Sequence, residues 1–145
     1  MQSRHKPGRA PAHRKANSSI QADGDRVRYE RWLALDDHRL CLLDAWCELQ
    51  RRLESEVGWF ALSDGARAEM EQTSGLSDRD ATLRLIHRQL RRWLRALPTA
   101  PTDDIAVVTA SLQVAERLLP AEENRVVHGL IARAVRDLAR IQDPS

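Results

Sequence analysis

The sequence contains few of the residues from which β-sheets, disulfide frameworks and tight turns are built. Its 145 residues include six glycines, six prolines, two cysteines and only 4% aromatic residues. The commonest residues are instead Leu, Ala, Arg, Glu and Asp, and this bias away from β-branched and aromatic residues favours an all-α protein. The length is enough for one domain with one core and too short for two ordinary domains.

Two further absences bear on the compartment in which the protein works. Cys41 and Cys47 lie six residues apart on one predicted helix and point in different directions, so they cannot form a disulfide while that helix is intact. No run approaches the roughly 18 apolar residues of a membrane-spanning helix, and the N-terminus lacks the apolar core of a secretory signal. We therefore expect a cytoplasmic protein that does not enter a membrane.

Lysine is nearly absent, and the basic residues are unevenly distributed. Residues 1–19 hold five of the 23 basic residues and no acid, so the rest of the chain carries 18 basic against 21 acidic groups. The five are Arg4, Lys6, Arg9, Arg14 and Lys15. Because almost no apolar side chain is available for burial there, we predict a flexible basic arm over residues 1–22. Such an arm either lies along a phosphate backbone or lipid surface or is a solubilising tail.

Residues 27–57 form the longest periodic segment and predict the central helix of the fold. One apolar stripe steps by three or four residues, and a second apolar seam repeats every seven residues about a quarter turn away. A helix with two apolar faces needs partners on two sides, as in a bundle or at a subunit contact. The stripe consists of Trp32, Leu35, Leu42, Trp46, Leu49 and Leu53, and the seam consists of Leu33, Leu40 and Cys47.

Turn and cap signals on both sides of this segment divide the chain. We predict a turn at residues 23–25 with Asp25 as the N-cap of the central helix. Within that helix, Arg39 falls inside the apolar stripe, so we expect it to pair with Asp36 or to stack on an indole ring. Gly58 is predicted to end the helix. A short helix should follow over about residues 64–72.

Three further segments complete the predicted fold. Ser77 is expected to cap the third helix, residues 102–104 open a fourth helix that should be among the most buried, and Pro120 suits the first turn of the last. The residues predicted to face inward on the last helix are Val127, Leu130, Ile131, Ala134, Leu138 and Ile141. Since the connections are short, we predict one domain over residues 23–145, an antiparallel bundle of four longer helices and one short helix.

The third helix carries the main candidate binding surface. An arginine row at spacings of four, three and four lies opposite its apolar side, with one more arginine beside it and no acid after Asp80. The row consists of Arg84, Arg88, Arg91 and Arg95, with Arg92 beside it. Such a row can follow phosphates along a nucleic acid strand. It can equally be a solvated face, a complement to the helix dipole, or the partner of an acidic stripe formed by Asp37, Asp44 and Glu48.

No pattern of catalytic or metal-binding residues is present. The scattered glycines do not form a nucleotide loop, Glu-x-x-His is missing, and two cysteines on different helical faces do not supply a zinc site. We therefore expect no metal, no cofactor and no enzymatic activity. Around Gly75 the segment MEQTSGLSDRDATLRLIHRQL resembles a DNA-binding helix-turn-helix. However, Glu71 and Arg88 occupy positions where that motif requires a small and an inward apolar residue.

The sequence thus favours a non-catalytic helical protein that contacts the nucleic acid backbone without sequence readout, as a small subunit of a larger nucleoprotein complex. The basic arm and the arginine row supply the phosphate contacts. The alternative is a protein-protein adaptor, chaperone or inhibitor that uses the seam of Leu33, Leu40 and Cys47 as an exposed apolar face. That seam also allows a homo-oligomer.

Overall fold

In the computed structural model, the backbone is described for residues 12–143 and the side chains for residues 20–143. Over this range the chain is all-helical: it forms five α-helices and one 3₁₀ turn, and no strand. The helices are α1 (Ala12–Glu56), α2 (Asp64–Thr73), α3 (Leu76–Arg95), α4 (Ile105–Leu118) and α5 (Arg125–Gln142), with the 3₁₀ turn at Trp59–Ala61. The prediction of four longer helices and one short helix is therefore confirmed.

The first helix begins earlier than the sequence indicates. The turn predicted at residues 23–25 lies inside α1, and Asp25 is a buried helical residue instead of an N-cap. Its Oδ1 accepts a hydrogen bond from Gln21 Nε2 at 3.0 Å. One turn further on, Tyr29 is also buried. Because burial of this face stabilises the helical backbone, the poor helix propensity of the Asp-Gly-Asp sequence does not end the helix.

The predicted flexible arm over residues 1–22 falls partly outside the described residues. Arg4, Lys6 and Arg9 lie outside the described backbone, and the side chains of Arg14 and Lys15 lie outside the described side chains. The backbone of residues 12–22 belongs to α1.

The described residues form two compact units by their internal contacts, and the single bundle domain over residues 23–145 stays a prediction. The first unit contains the described residues up to Tyr29 and those from Pro98 onward, and the second contains Glu30–Leu97. In the first unit α4 packs against α5, and the buried residues of α4 are Val107, Thr109, Ala110 and Val114. The expectation that the fourth helix is well buried is thus confirmed.

The second unit is built on the predicted apolar stripe of α1. Trp32, Leu49 and Leu53 are buried, and the other three members of the stripe are half-buried. Leu49 and Leu53 form a cluster with Leu76 at the start of α3, and the side chains packed against this cluster are Trp46, Trp59 and Met70. Arg39, within the stripe, donates from Nε to Asp36 Oδ1 at 2.8 Å, the first of the two predicted alternatives.

Among the last three helices, the start agrees with the sequence in one case and differs in two. Residues 102–104 open α4, as expected, and the cap is Asp104, because its Oδ1 accepts from the backbone N–H groups of Ala106 and Val107. In contrast, α3 begins after Gly75, which has a left-handed backbone with φ of 80°, so Ser77 lies inside the helix. Pro120 precedes a turn and α5 begins only at Arg125.

The Asp104 cap gives a stability prediction. The substitution Asp104→Ala removes both accepted hydrogen bonds, of 2.8 and 3.1 Å, and should lower the free energy of unfolding by about 1 kcal/mol. Urea denaturation followed by circular dichroism measures the change. Asp103→Ala is the matched control, because Asp103 is exposed and lies outside the cap. An equal loss in both variants would contradict the assignment.

Tyr29 provides a second prediction, on pH dependence. Its hydroxyl donates to the Pro98 carbonyl oxygen at 2.8 Å, and burial, with a smaller contribution from the Asp25 carboxylate, raises the pKa of Tyr29 above its ordinary value of 10.0. Since the folded protein holds this proton more tightly than the unfolded chain, stability should fall as pH rises above 10.

Absorbance of the phenolate near 295 nm tests this directly, because Tyr29 is the only tyrosine in the sequence. The titration midpoint in the native protein should lie above the midpoint measured in concentrated urea. Equal midpoints in the two states would show that Tyr29 is not buried against Pro98.

Candidate nucleic-acid interface

The exposed face of α3 carries the predicted arginine row. Ile86 and Leu90 are buried on the other side of the helix. They fix the orientation of α3, because positions three and four apart share one face. The arginines are therefore directed to solvent: Arg84, Arg88, Arg91, Arg92 and Arg95 are all exposed. Arg88 is exposed, whereas the helix-turn-helix motif requires an inward-facing apolar residue at this position.

The arginines of α3 differ in their partners. Arg84 Nη2 lies 2.6 Å from Asp80 Oδ2, and Arg92 donates to the side-chain oxygen of Gln89. Within residues 20–143, no ion pair or hydrogen bond involves the side chains of Arg88, Arg91 and Arg95. The donors of these three guanidinium groups are therefore unused within the described side chains.

Glu48, a member of the predicted acidic stripe of α1, does not pair with the arginine row of α3. Glu48 forms an ion pair with Arg51, one turn along α1, with Arg51 Nη2 2.8 Å from Glu48 Oε1. Both side chains are exposed, and such a pair contributes little to stability. The arginine row is therefore not paired with Glu48.

Two depressions lie along α3 and share Arg88. One has a volume of about 360 Å³ and is lined by Arg39, Leu43, Leu83, Arg84, His87 and Arg88. The other has a volume of about 530 Å³ and is lined by Leu85, Arg88, Gln89, Arg91, Arg92 and Arg95. The sequence predicted the α3 arginines of this surface, but it did not predict the contributions of Arg39, Leu43, Leu83 and His87. Those depend on the register between α1 and α3, which periodicity alone does not give.

Direct contacts hold α1 and α3 side by side in opposite directions. Trp32 Nε1 donates to the Leu90 carbonyl oxygen at 3.1 Å, and Arg79 Nη1 donates to the Ala45 carbonyl oxygen at 2.9 Å. The residue number thus rises along one helix as it falls along the other. The smaller depression is lined by residues between these two contacts on both helices.

The indole ring of Trp93, on the same helix as the arginine row, already contacts a cation. The guanidinium carbon of Arg31 lies over Trp93, 4.7 Å from the ring centroid. Such a cation–π contact is worth about 0.5–1 kcal/mol at an exposed site. Arg31 thus adds a further cation near the C-terminal half of α3 and covers the Trp93 ring.

The seam predicted on α1 is only partly covered. Leu33 is half-buried, whereas Leu40 and Cys47 are exposed. The sequence did not predict a larger exposed apolar face on α5, which has no fully buried residue within Arg125–Gln142. Val127, Leu130 and Ile141, predicted to face inward, are 49%, 63% and 62% exposed. That part of the prediction is wrong, because amphipathic spacing shows that a helix has an apolar side but not that the chain covers it.

The described residues do not bring three His, Cys, Asp or Glu side chains together as metal ligands. No helix among them is both long enough and apolar enough to cross a membrane. Comparisons with protein-family models, curated proteins and solved structures find no match to the chain.

Proposed function

We propose that this chain is a non-catalytic binding protein that contacts the phosphate backbone of nucleic acid through α3. The observation that carries the proposal is the unpaired state of Arg88, Arg91 and Arg95 on one exposed face of the described structure. Guanidinium groups bind phosphate oxygens in a planar, two-pronged geometry. A row of them without nearby carboxylates therefore suits a repeating anion better than a single one.

The dimensions of the row agree with a strand of several phosphates. From Arg84 to Arg95 the helix rises about 16 Å at 1.5 Å per residue. Contacts to phosphate fix the position of a protein on a nucleic acid but read no sequence. We therefore expect binding that depends on salt and is insensitive to sequence.

Other parts of the predicted function depend on this proposal. The basic residues Arg4, Lys6, Arg9, Arg14 and Lys15 would supply phosphate contacts in addition to those of α3, in a small subunit of a cytoplasmic nucleoprotein complex. Helices α1 and α3 run in opposite directions. The antiparallel packing of the other helices, predicted from the short connections, stays a proposal.

A salt titration tests the proposal. Filter binding of the full chain to a nucleic acid of mixed sequence should weaken steadily between about 50 and 200 mM salt, because each phosphate contact releases counterions. Shuffling the sequence of the probe should leave the affinity unchanged. Affinity that is insensitive to salt, or no binding at low salt, would overturn the proposal.

One observation favours a second candidate, an adaptor that acts through the seam on α1. Leu40 is 38% exposed and Cys47 is exposed. Apolar residues repeated every seven positions suit a helix with the same repeat. A second copy of this chain would supply one. Sedimentation of the full chain should then give a dimer that Leu40→Glu converts to a monomer, whereas a monomeric parent chain would exclude this candidate.

A further inference from the structure

The two depressions along α3 differ in chemistry, and the difference bears on which kind of nucleic acid they fit. The larger one contains four arginines, Arg88, Arg91, Arg92 and Arg95, and no carboxylate. The smaller one contains two leucines, and two of its three arginines already have carboxylate partners. Cationic character therefore increases along the helix from residue 83 towards residue 95.

In the smaller depression only one of the three arginines, Arg88, lacks a carboxylate partner. Arg39 pairs with Asp36, whose side chain is 5% exposed, and Arg84 pairs with Asp80. The half-buried Leu43 and Leu83 line it, and the exposed imidazole of His87 lies beside them. An apolar lining with a flat ring at its edge suits a flat, weakly polar group and offers little to a phosphate.

Hydrogen bonds on both sides of the smaller depression link the two helices that line it. Its lining residues lie between the Trp32–Leu90 and Arg79–Ala45 contacts on both helices. A site whose walls are held at both ends loses little conformational entropy on binding. The groove is therefore part of the folded unit.

From this arrangement we infer that the ligand of α3 is single-stranded nucleic acid. An unpaired base enters the groove of Leu43, Leu83 and His87, while the phosphates that follow it lie along Arg88, Arg91 and Arg95. This inference rests on the proposed function and adds the substrate class to it. A duplex keeps its bases stacked and paired, so it offers phosphates to the arginines but no base to the groove.

The energetic difference between the two ligands follows from the same geometry. Placing a base in the groove from a duplex first requires extrusion, which costs a few kcal/mol. A base of a single strand is already free. We therefore expect the single strand to bind at least about fivefold more tightly, although a duplex has the higher charge density.

Fluorescence anisotropy of the full chain with a labelled 12-nucleotide oligothymidine and with a 12-base-pair duplex tests the inference at equal salt. The expected result is tighter binding of oligothymidine. His87→Ala should weaken oligothymidine binding about threefold, as loss of part of one base contact, and leave duplex binding unchanged. His38→Ala is the matched control, because His38 is exposed on α1 and lies outside the groove.

The outcomes separate the two proposals. Equal affinity for both probes, or tighter duplex binding, would overturn the single-strand inference and leave the phosphate proposal standing. If oligothymidine is preferred but His87→Ala and His38→Ala weaken its binding equally, the base does not bind in the groove. Binding of neither probe would overturn the proposed function itself. Since both histidines are exposed, circular dichroism should show both variants folded.

Discussion

Replacing Arg88 and Arg91 by glutamine should weaken nucleic acid binding on the order of tenfold at about 100 mM salt. Both side chains are exposed on α3 and have no ion pair within the described side chains. The double variant should therefore fold normally and lose two phosphate contacts. For a single strand, two lost contacts reduce the slope of log affinity against log salt by about 1.4.

The control for this prediction removes the same charge elsewhere. Arg125 and Arg136 lie exposed on α5, in the other unit, and no ion pair within residues 20–143 involves them. The double variant Arg125→Gln, Arg136→Gln should keep the wild-type slope and nearly the wild-type affinity. If both double variants weaken binding equally, net charge and not the face of α3 accounts for the binding.

The substitution Trp32→Ala should lower the free energy of unfolding by about 3–5 kcal/mol. Trp32 is 3% exposed and its Nε1–H donates to the Leu90 carbonyl oxygen at 3.1 Å. Truncation removes a large buried ring and also one of the two hydrogen bonds described between α1 and α3. Small domains are stable by only about 5–15 kcal/mol, so the variant should unfold at much lower urea concentration, as measured by circular dichroism at 222 nm.

Two tryptophan-to-phenylalanine variants separate the contribution of the indole hydrogen bond to stability from that of the buried ring volume. Trp46 Nε1 is buried without a partner among the described residues, and an unsatisfied buried donor costs about 1–3 kcal/mol. Trp46→Phe removes that donor, which offsets the lost volume, so its stability should stay within about 1 kcal/mol of the parent chain. Trp32→Phe loses a made hydrogen bond and should be the less stable of the two. The reverse order would contradict the described contacts.

Local signals in the sequence were sufficient for the helical class and for several details of it. The apolar stripe on α1 predicted side chains that are buried or half-buried, since a spacing of three or four defines one helix face. The Asp104 cap and the Arg39–Asp36 pair were predictable because each involves residues within one turn of helix. The exposed arginine face of α3 followed from the same reasoning.

What the sequence could not give depends on contacts between distant residues. Burial of Asp25 and Tyr29 carries α1 through a sequence that would otherwise favour a turn. The groove beside α3 exists because Trp32 meets Leu90 and Arg79 meets Ala45, which fixes a register that no periodicity encodes. The exposed face of α5 could not be foreseen, because its spacing equals that of a buried face.

Nuclear magnetic resonance of the full ¹⁵N-labelled chain, titrated with oligothymidine, tests the central claim most directly. If α3 is the phosphate-binding face, the largest shifts of amide and arginine side-chain N–H signals should fall between Leu83 and Arg95. Signals of Arg125, Arg133, Arg136 and Arg140 on α5 should change little. Shifts on α5 as large as those on α3, or no shifts at all, would contradict the account.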